Sequence, residues 1–385
     1  MSRRIPVCSL AFVAICASTV LASAQVTSSS TESNSIQAPA SPVAYVYVSS
    51  APTSSTGKIN AYSAASNGAL TPIAGSPFPY DVNYMAVNGA WLFGVANVDT
   101  DINSFSISSN GALTFKDTYK VTNPGTGVIS VYLDHTGSTL YADYYTTNND
   151  YLSFSINQSN GRLTKIGDLA GGPPNNTPVS FIGNNVYAYS SSCYHFGQEI
   201  IGVKRNTDGT LSYLNSNFPF PAEKSGGFYC PWKAAADPTN HVAIAMAPLN
   251  SNWGQDGLWQ LASYTADTAG NLTTKSTFSN MPTVLVGAVN DYSMSPSGKY
   301  LAVGGTAGFQ IFHFNGANPM TKFTGLLTGN TIDQIFWDNA NHVYAISLSK
   351  GKLFVWTVTS TGATQAPGSP HLIPNVQDLI VLPKS

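Results

Sequence analysis

The sequence has little charge. Only 9% of its 385 residues are Asp, Glu, Lys or Arg, and the formal net charge at pH 7 is −2. It contains no cluster of Lys and Arg, which argues against a nucleic acid partner, because binding to phosphates depends on concentrated positive charge. Beyond residue 24 it also lacks an apolar run of the roughly 20 residues that a transmembrane helix needs.

The N-terminal segment has the pattern of an export signal. Arg3 and Arg4 precede a mostly apolar stretch from Val7 to Leu21, and Ala22-Ser23-Ala24 has the small residues of a cleavage site. These features predict a signal peptide at residues 1–24, and therefore a secreted or periplasmic protein.

Two further features concern the same end of the chain. A lipid anchor at Cys16 is an alternative to cleavage, but Ile15 stands where lipoprotein processing requires a small residue. Residues 25–43 are rich in Ser, Thr, Ala and Pro, a composition that predicts a flexible leader.

A unit of two strand-like runs and a turn recurs through the rest of the chain. The first run, of the Leu-Tyr-Val type, occurs seven times, at residues 45–48, 91–93, 140–142, 186–188, 242–244, 301–303 and 343–345. The second, alternating run follows each copy, at residues 58–62, 102–105, 151–154, 199–203, 260–264, 309–312 and 352–356. Five copies close on an Asn-Gly turn or a variant of it, at residues 67–71, 110–114, 160–164, 208–211 and 270–273.

These runs indicate the fold. Short alternating segments rich in β-branched and aromatic residues predict strands, and Asn-Gly favours tight turns between them. Four strands at a period of roughly 40–50 residues are typical of a propeller blade. The sequence therefore predicts an all-β, seven-bladed β-propeller of four-stranded antiparallel blades over residues 44–383.

The first unit lacks an innermost strand, and the C-terminus supplies a spare one. The segment Val376–Pro383 matches the innermost strands of the other units, such as Val131–Asp134. We therefore predict that the C-terminal strand completes blade 1, which removes the open edges of the array.

Several segments resemble a known family, namely residues 45–48, 57–62, 67–72, 74–78 and 295–301. They are similar to the lactonase-family seven-bladed β-propellers, which include 6-phosphogluconolactonase-like proteins, and they overlap with YVTN-repeat propellers. The resemblance covers about residues 44–383 and implies the propeller fold and a lactonase-like activity. It carries over no catalytic residue, since the matching positions are strands and turns.

Candidate site residues come from the loops that surround one mouth of the channel of a propeller. Acids, aromatic residues, a lysine and a histidine fall in these loops. The catalytic candidates are Lys233, Asp291, Asp333 and His195, and the ligand-binding candidates are Asp378, Trp232, Tyr194 and Asp81. Paired carboxylates there could act as acid and base. The alternative interpretation is that acids in these loops only cap turns.

The metal signals are weak. Asp99 and Asp101 begin like a calcium loop, but Ser104 stands where an EF-hand requires glycine, which excludes that motif. A looser calcium site at the two acids is the one cofactor that the sequence leaves open. No pair of histidines has metal-ligand spacing.

Two cysteines lie beyond residue 24, Cys193 and Cys230. Export permits oxidation, and the repeat places both on the same face of adjacent blades. We therefore predict a disulfide between them; two buried thiols are the alternative.

Two functions remain open at this stage. The first is an exported lactonase-like hydrolase of a sugar-acid lactone or similar small ester. The second is a non-catalytic propeller that binds a glycan, a peptide or a cell-envelope partner. Both functions would use the channel mouth, and in either case we expect the protein to be a monomer.

Overall fold

The computed structural model describes residues 41–51, 57–97, 100–121, 128–144, 150–169, 178–194, 197–222 and 227–384. Regular structure in these ranges is β-strand, and they hold no helix that could cross a membrane. The predicted signal peptide and nearly all of the predicted leader lie outside the described residues, so both stay predictions.

The strands form seven antiparallel sheets, the blades. Numbered in chain order, those of blade 1 are β1 (Ala44–Ser50), β2 (Lys58–Ala64), β3 (Leu70–Pro72) and β29 (Val376–Pro383). Blades 2 and 3 hold β4 (Val82–Val87), β5 (Trp91–Ala96), β6 (Ile102–Ile107), β7 (Leu113–Tyr119), β8 (Val128–Leu133), β9 (Thr139–Tyr144), β10 (Asp150–Ile156) and β11 (Leu163–Leu169).

The remaining four blades repeat the same order. Blades 4 and 5 hold β12 (Ser180–Phe181), β13 (Tyr187–Tyr194), β14 (Gly197–Arg205), β15 (Leu211–Asn215), β16 (Gly227–Ala236), β17 (His241–Asn250), β18 (Gln260–Ala266) and β19 (Leu272–Thr274). Blades 6 and 7 hold β20 (Val289–Met294), β21 (Tyr300–Gly305), β22 (Gly308–Asn315), β23 (Asn318–Lys322), β24 (Gln334–Trp337), β25 (His342–Ser347), β26 (Lys352–Val358) and β27 (Ala363–Gln365). In blade 7 the short β28 (His371–Leu372) also pairs with β26.

The closure predicted from the C-terminal segment is confirmed. β29 is the innermost strand of blade 1 and pairs antiparallel with β1, from Ala44 opposite Pro383 to Ser50 opposite Val376. The first and last strands of the propeller therefore belong to one sheet, and unfolding of the C-terminus would open the ring.

Burial is greatest in the second strand of a blade and lowest at its outer edge. Every residue of β1 and of β25 is buried, because the second strand of each blade packs against a neighbour on both faces. The outermost β3 and β27 are largely exposed. Continuous apolar runs mark the second strands for this reason, while outer strands are short and polar.

The repeated tyrosines and glycines hold adjacent blades together. The Tyr47 hydroxyl donates to the Gly111 carbonyl of the next blade at 2.9 Å, and two other second-strand tyrosines make the same contact. Gly111 has a φ of 84°, and a Cβ there would lie 2.7 Å from the Tyr45 ring. Glycine is therefore required both by the turn and by the approach of the neighbouring blade.

Candidate functional site at the channel mouth

Most innermost strands are irregular at one point in their pairing. Register shifts interrupt the pairing of β4, β8, β16, β20 and β29 with the second strands. A bulge adds a residue to one strand and changes the direction of the side chains beside it. Side chains of consecutive residues at a bulge can therefore contact different neighbouring strands.

Lys233 lies at the irregularity of β16. Its φ is 57°, in the left-handed region that costs a non-glycine residue energy. The Tyr292 hydroxyl of blade 6 donates to the carbonyl of the preceding Trp232 at 2.6 Å, and the Ser191 hydroxyl of blade 4 donates to the Lys233 carbonyl at 2.5 Å. Both neighbouring blades thus hold the backbone that presents Lys233.

The Lys233 side chain makes an ion pair with Asp291 of blade 6. Its Nζ donates to Asp291 Oδ1, and Asp291 Oδ2 accepts a 2.8 Å hydrogen bond from the backbone N–H of Ile335 in blade 7. The lysine side chain is 27% exposed and the aspartate 8%. The ammonium therefore meets solvent, while the carboxylate is held in the wall of the channel.

A second network joins blades 7, 1 and 2. Gln334 Nε2 donates to Asp378 Oδ1 at 2.6 Å, and Gln334 Oε1 accepts from the Leu379 N–H at 2.8 Å. Asp378 Oδ2 accepts from the Met85 N–H at 2.6 Å. Asp291, Gln334 and Asp378 follow the same pattern, since each accepts a backbone N–H of the next innermost strand.

Burial controls the protonation of Asp378. Removal of the carboxyl from water raises its pKa to about 6, although hydrogen bonds from Met85, Gln334 and Leu379 pull it down and the negative charge of Asp291 pushes it up. Asp378 therefore titrates near neutrality. Its two oxygens accept hydrogen bonds from blades 2 and 7.

The other predicted site residues take separate positions. Asp333 Oδ2 accepts from the Leu348 N–H at 2.8 Å, and Asp333 Oδ1 lies 3.4 Å from Asn290 Nδ2. Asp81 Oδ1 accepts from Asn97 Nδ2 at 2.5 Å. Each of these carboxylates ties a loop to its neighbour, as expected if acids in the loops cap turns.

Three candidates adjoin the ends of β13 and β16. Trp232 is half-buried beside Lys233, and its indole Nε1 lies 3.5 Å from the Asn290 carbonyl. His195 lies outside the described residues, and so does the side chain of Tyr194, so their roles stay predictions. Cys193 and Cys230 form a disulfide with a Cα–Cα distance of 5.3 Å, which confirms the predicted pairing and links blades 4 and 5.

The possible calcium site is only partly visible. Asp99 lies outside the described residues. Asp101 is buried, and its carboxylate accepts from Lys120 Nζ at 2.5 Å and from the Val121 N–H at 2.9 Å. Within the described ranges, no three His, Cys, Asp or Glu side chains are grouped so that they could hold a metal ion.

A pocket of about 240 Å³ opens between the innermost strands of blades 4 to 7. Lys233 lies in its wall, together with Ser180, Tyr292, Ser293 and Phe336. It thus combines one ammonium group with hydroxyls and apolar surface. Such a wall suits a small polar ligand with a carbonyl or carboxylate oxygen, because the ammonium would stabilise negative charge there.

The structure therefore brings Lys233, Asp291 and Trp232 together, and Gln334 joins Asp378 to blade 7. Sequence reasoning missed Gln334 and Ser191 as parts of this region. One signal could have found the first, since Asn290-Asp291, Asp333-Gln334 and Gln377-Asp378 are polar pairs before an apolar strand. In each pair the second residue bonds to the next blade.

Similar structures share the fold at low sequence identity. A periplasmic gluconolactonase of Pseudomonas aeruginosa is 12% identical, with a TM-score of 0.63 over 88% of this chain and 99% of that one. A candidate 6-phosphogluconolactonase of Bacteroides uniformis is 15% identical, with a TM-score of 0.64 over 88% and 99%. A protein from Lactobacillus plantarum is 15% identical, with a TM-score of 0.61 over 89% and 99%. No protein-family model and no curated protein matches the sequence.

The chain has the fold of the lactonase-like propellers. The predicted resemblance is thus supported across nearly the full length of these structures. At these identities the likeness shows the fold alone, so an activity must be argued from the pocket beside Lys233.

Proposed function

We propose that the protein is an exported lactonase-like propeller that hydrolyses a sugar-acid lactone or a similar small ester in the channel pocket. The observation that carries the proposal is the half-buried side chain of Lys233 in the wall of a pocket of about 240 Å³. The names of two structural neighbours, a gluconolactonase and a candidate 6-phosphogluconolactonase, support the substrate class.

Lys233 has a defined part in this proposal. Attack of water on a lactone places negative charge on the carbonyl oxygen, and a fixed ammonium stabilises that charge. Asp291 holds the ammonium in place through the ion pair, and the Tyr292 and Ser191 hydroxyls hold the backbone behind it. We assign Lys233 the binding of the carbonyl oxygen and Asp291 its orientation. Asp333 remains a candidate for activating water, and His195 remains a candidate for stabilising the oxyanion.

A second function is favoured by the way the acids are used. Both oxygens of Asp291 and of Asp378 accept hydrogen bonds within the channel wall, so neither is an obvious base. This arrangement suits a propeller that binds a glycan, a peptide or an envelope component at the same mouth without turnover.

A substrate screen separates the two functions. The purified protein would be incubated with a panel of aldonolactones in a pH-stat, with added calcium and with chelator, and the release of acid compared with buffer alone. Ring opening above background on at least one lactone supports the hydrolase. If no lactone is opened above background and calorimetry shows binding of an oligosaccharide or peptide, the hydrolase is rejected and the binding function is supported.

Export is the part of the proposal that the disulfide supports, because bonds of this kind form mainly in oxidising compartments. Mass spectrometry of the protein recovered from a bacterial culture tests it. An N-terminus at Gln25 in the periplasm or medium supports cleavage after residue 24. A lipid-modified Cys16 or an intact N-terminus in the cytoplasm contradicts it.

A further inference from the structure

A groove lies between blades 2 and 3, away from the pocket beside Lys233. Its volume is about 550 Å³, which is within the roughly 300–1,000 Å³ of ligand pockets. The wall is formed by β5, β6 and β7 of blade 2 and by the turn between β10 and β11 of blade 3. None of its lining residues belongs to the pocket beside Lys233. The groove is therefore a separate candidate site.

Charge is concentrated in this groove. Three of its seven lining residues, Lys116, Asp117 and Arg162, are charged, whereas only 9% of the whole chain is. The two cations outnumber the single acid, so the groove carries an excess of positive charge. Two serines and an asparagine add hydroxyl and amide groups to the wall. The lining therefore suits an anionic ligand that also forms hydrogen bonds.

Asp117 holds Arg162 through one nitrogen only. Arg162 Nε donates to Asp117 Oδ2 at 3.2 Å, and the side chains are 70% and 35% exposed, respectively. Among the described residues, no hydrogen bond or ion pair reaches the two terminal guanidinium nitrogens of Arg162 or the ammonium of Lys116. An ion pair this exposed adds little stability. It does orient the guanidinium, whose two terminal N–H groups can bind both oxygens of one carboxylate.

The turn that carries Arg162 is fixed against blade 2. Trp91 is buried, and its indole Nε1 donates to the Gln158 carbonyl at 3.2 Å. Gly161 has a φ of 74°, and a Cβ there would overlap the Trp91 ring, so the turn packs directly on the indole. The backbone N–H of Arg162 donates to Asn160 Oδ1 at 3.1 Å. A turn held in this way reduces the entropy that is lost when a ligand is bound.

Comparison of the repeats shows that the fold does not require these cations. Directly before the leucine of the closing turn, where blade 3 has Arg162, the four other copies have uncharged residues, namely Ala69, Ala112, Thr210 and Asn271. Three residues after that leucine, where blade 2 has Lys116, only blade 5 has another lysine, Lys275. The following turn of blade 6, Asn315–Asn318, contains no charged residue. The pair of cations is thus particular to the groove between blades 2 and 3.

We propose that this groove binds an oligosaccharide of uronic acid units through their carboxylates. Arg162 would bind one carboxylate through its two terminal nitrogens, and Lys116 would supply a second positive charge. The hydroxyl and amide groups of the wall would form hydrogen bonds with the sugar hydroxyls. Trp91 is the only apolar residue in the lining, so the wall suits a hydroxyl-rich ligand better than the side chains of an acidic peptide.

Calorimetric titration of the purified protein with trigalacturonate tests the proposal. The wild type should bind it, and a higher salt concentration should weaken binding, because the contacts are exposed charge pairs. Arg162→Gln and Lys116→Gln should each weaken binding about tenfold, as expected for the loss of a hydrogen bond to a charged group. The matched control is Lys275→Gln, which removes an exposed lysine from the same position of blade 5 and should leave binding unchanged. Thermal melting verifies that each variant is folded.

Four results would overturn the assignment. The first is the absence of trigalacturonate binding, and the second is equal binding of the neutral galactotriose. The third is undiminished binding by Arg162→Gln, or an equal loss in Lys275→Gln. The fourth is tighter binding of triglutamate or of inorganic phosphate, which would make a peptide or a phosphate group the ligand. Lys233→Met should bind trigalacturonate as the wild type does, so the outcome is independent of the lactone proposal.

Discussion

Asp378, in the last strand of the chain, accepts a 2.6 Å hydrogen bond from the backbone N–H of Met85, 293 residues earlier in blade 2. β29 therefore pairs with β1 in blade 1, bonds to blade 2 through this carboxylate and bonds to Gln334 of blade 7. The C-terminal strand closes the ring, and it also carries one of the acids at the channel mouth.

Removal of this strand should abolish folding. A chain of residues 25–375 loses β29, whose buried Val376, Leu379, Ile380 and Val381 each contribute about 1.5–3 kcal/mol by burial. The total approaches the whole stability of a typical domain, about 5–15 kcal/mol. Circular dichroism during urea unfolding should show no cooperative transition. A chain of residues 41–385 is the control and should unfold cooperatively; equal behaviour of the two would contradict the closure.

Asp143 should make the protein less stable as the pH rises. This acid is fully buried in β9, and its Oδ2 accepts a 2.5 Å hydrogen bond from the Ser130 hydroxyl. Burial raises its pKa from 3.8 to about 7. Folding therefore favours the protonated form, so its contribution is full below about pH 4 and is lost as the pH approaches 7, on the order of 4 kcal/mol.

Asp143→Asn tests this linkage, because asparagine has the shape of the neutral acid. Urea unfolding should show the variant more stable than wild type at pH 8, with a smaller difference at pH 5. Asp208→Asn is the control: that acid is exposed and its pKa is lowered, so the slope between pH 5 and 8 should not change. A wild-type stability that is flat over this range would show that Asp143 does not titrate there.

Tyr292 should position Lys233 through its hydrogen bond to the backbone of Trp232. Tyr292→Phe removes the hydroxyl that donates to the Trp232 carbonyl and accepts from the Ala245 N–H, at a cost of about 1–3 kcal/mol. The affinity of the Tyr292→Phe variant for the lactone should be lower than that of the wild type, because Lys233 is no longer held in position. Tyr47→Phe removes an equivalent buried hydroxyl, bonded to Gly111, and should cost similar stability with no effect on affinity. Equal affinity losses in both would assign Tyr292 a structural role only.

The disulfide should stabilise the loops beside the channel mouth. Cys193→Ser with Cys230→Ser opens a link across 37 residues, which the chain-entropy estimate values at about 4 kcal/mol. Urea unfolding of the double variant measures the loss. Thiol titration of the denatured, unreduced wild type should find none of these thiols, and two per chain would contradict the bond.

Much of the fold could be predicted from the sequence because residues that recur in each unit make the same contact in several blades. Tyr47 and Gly111 belong to different blades, yet each occurs at a fixed place in its unit because they contact each other. The spare strand at Val376–Pro383 was likewise visible as a pattern. Cys193 and Cys230 followed from the topology, since adjacent blades bring the same face of the repeat together.

The site was less predictable because it depends on side-chain direction at bulges. Asp143 lies in β9 and is fully buried, which spacing alone could not show. Spacing also could not show that Asp291 and Asp378 bond to the next blade. A shift of one residue turns a side chain to the opposite face of a strand.

The rate of lactone opening by the wild type and by Lys233→Met tests the central claim most directly. It would be measured in a pH-stat on the best substrate of the screen, with Lys233→Arg to retain the charge. The account predicts that Lys233→Met lowers kcat/KM about 100-fold or more, as for the loss of an oxyanion donor, and that Lys233→Arg keeps part of the activity. Equal rates for the wild type and Lys233→Met would contradict it.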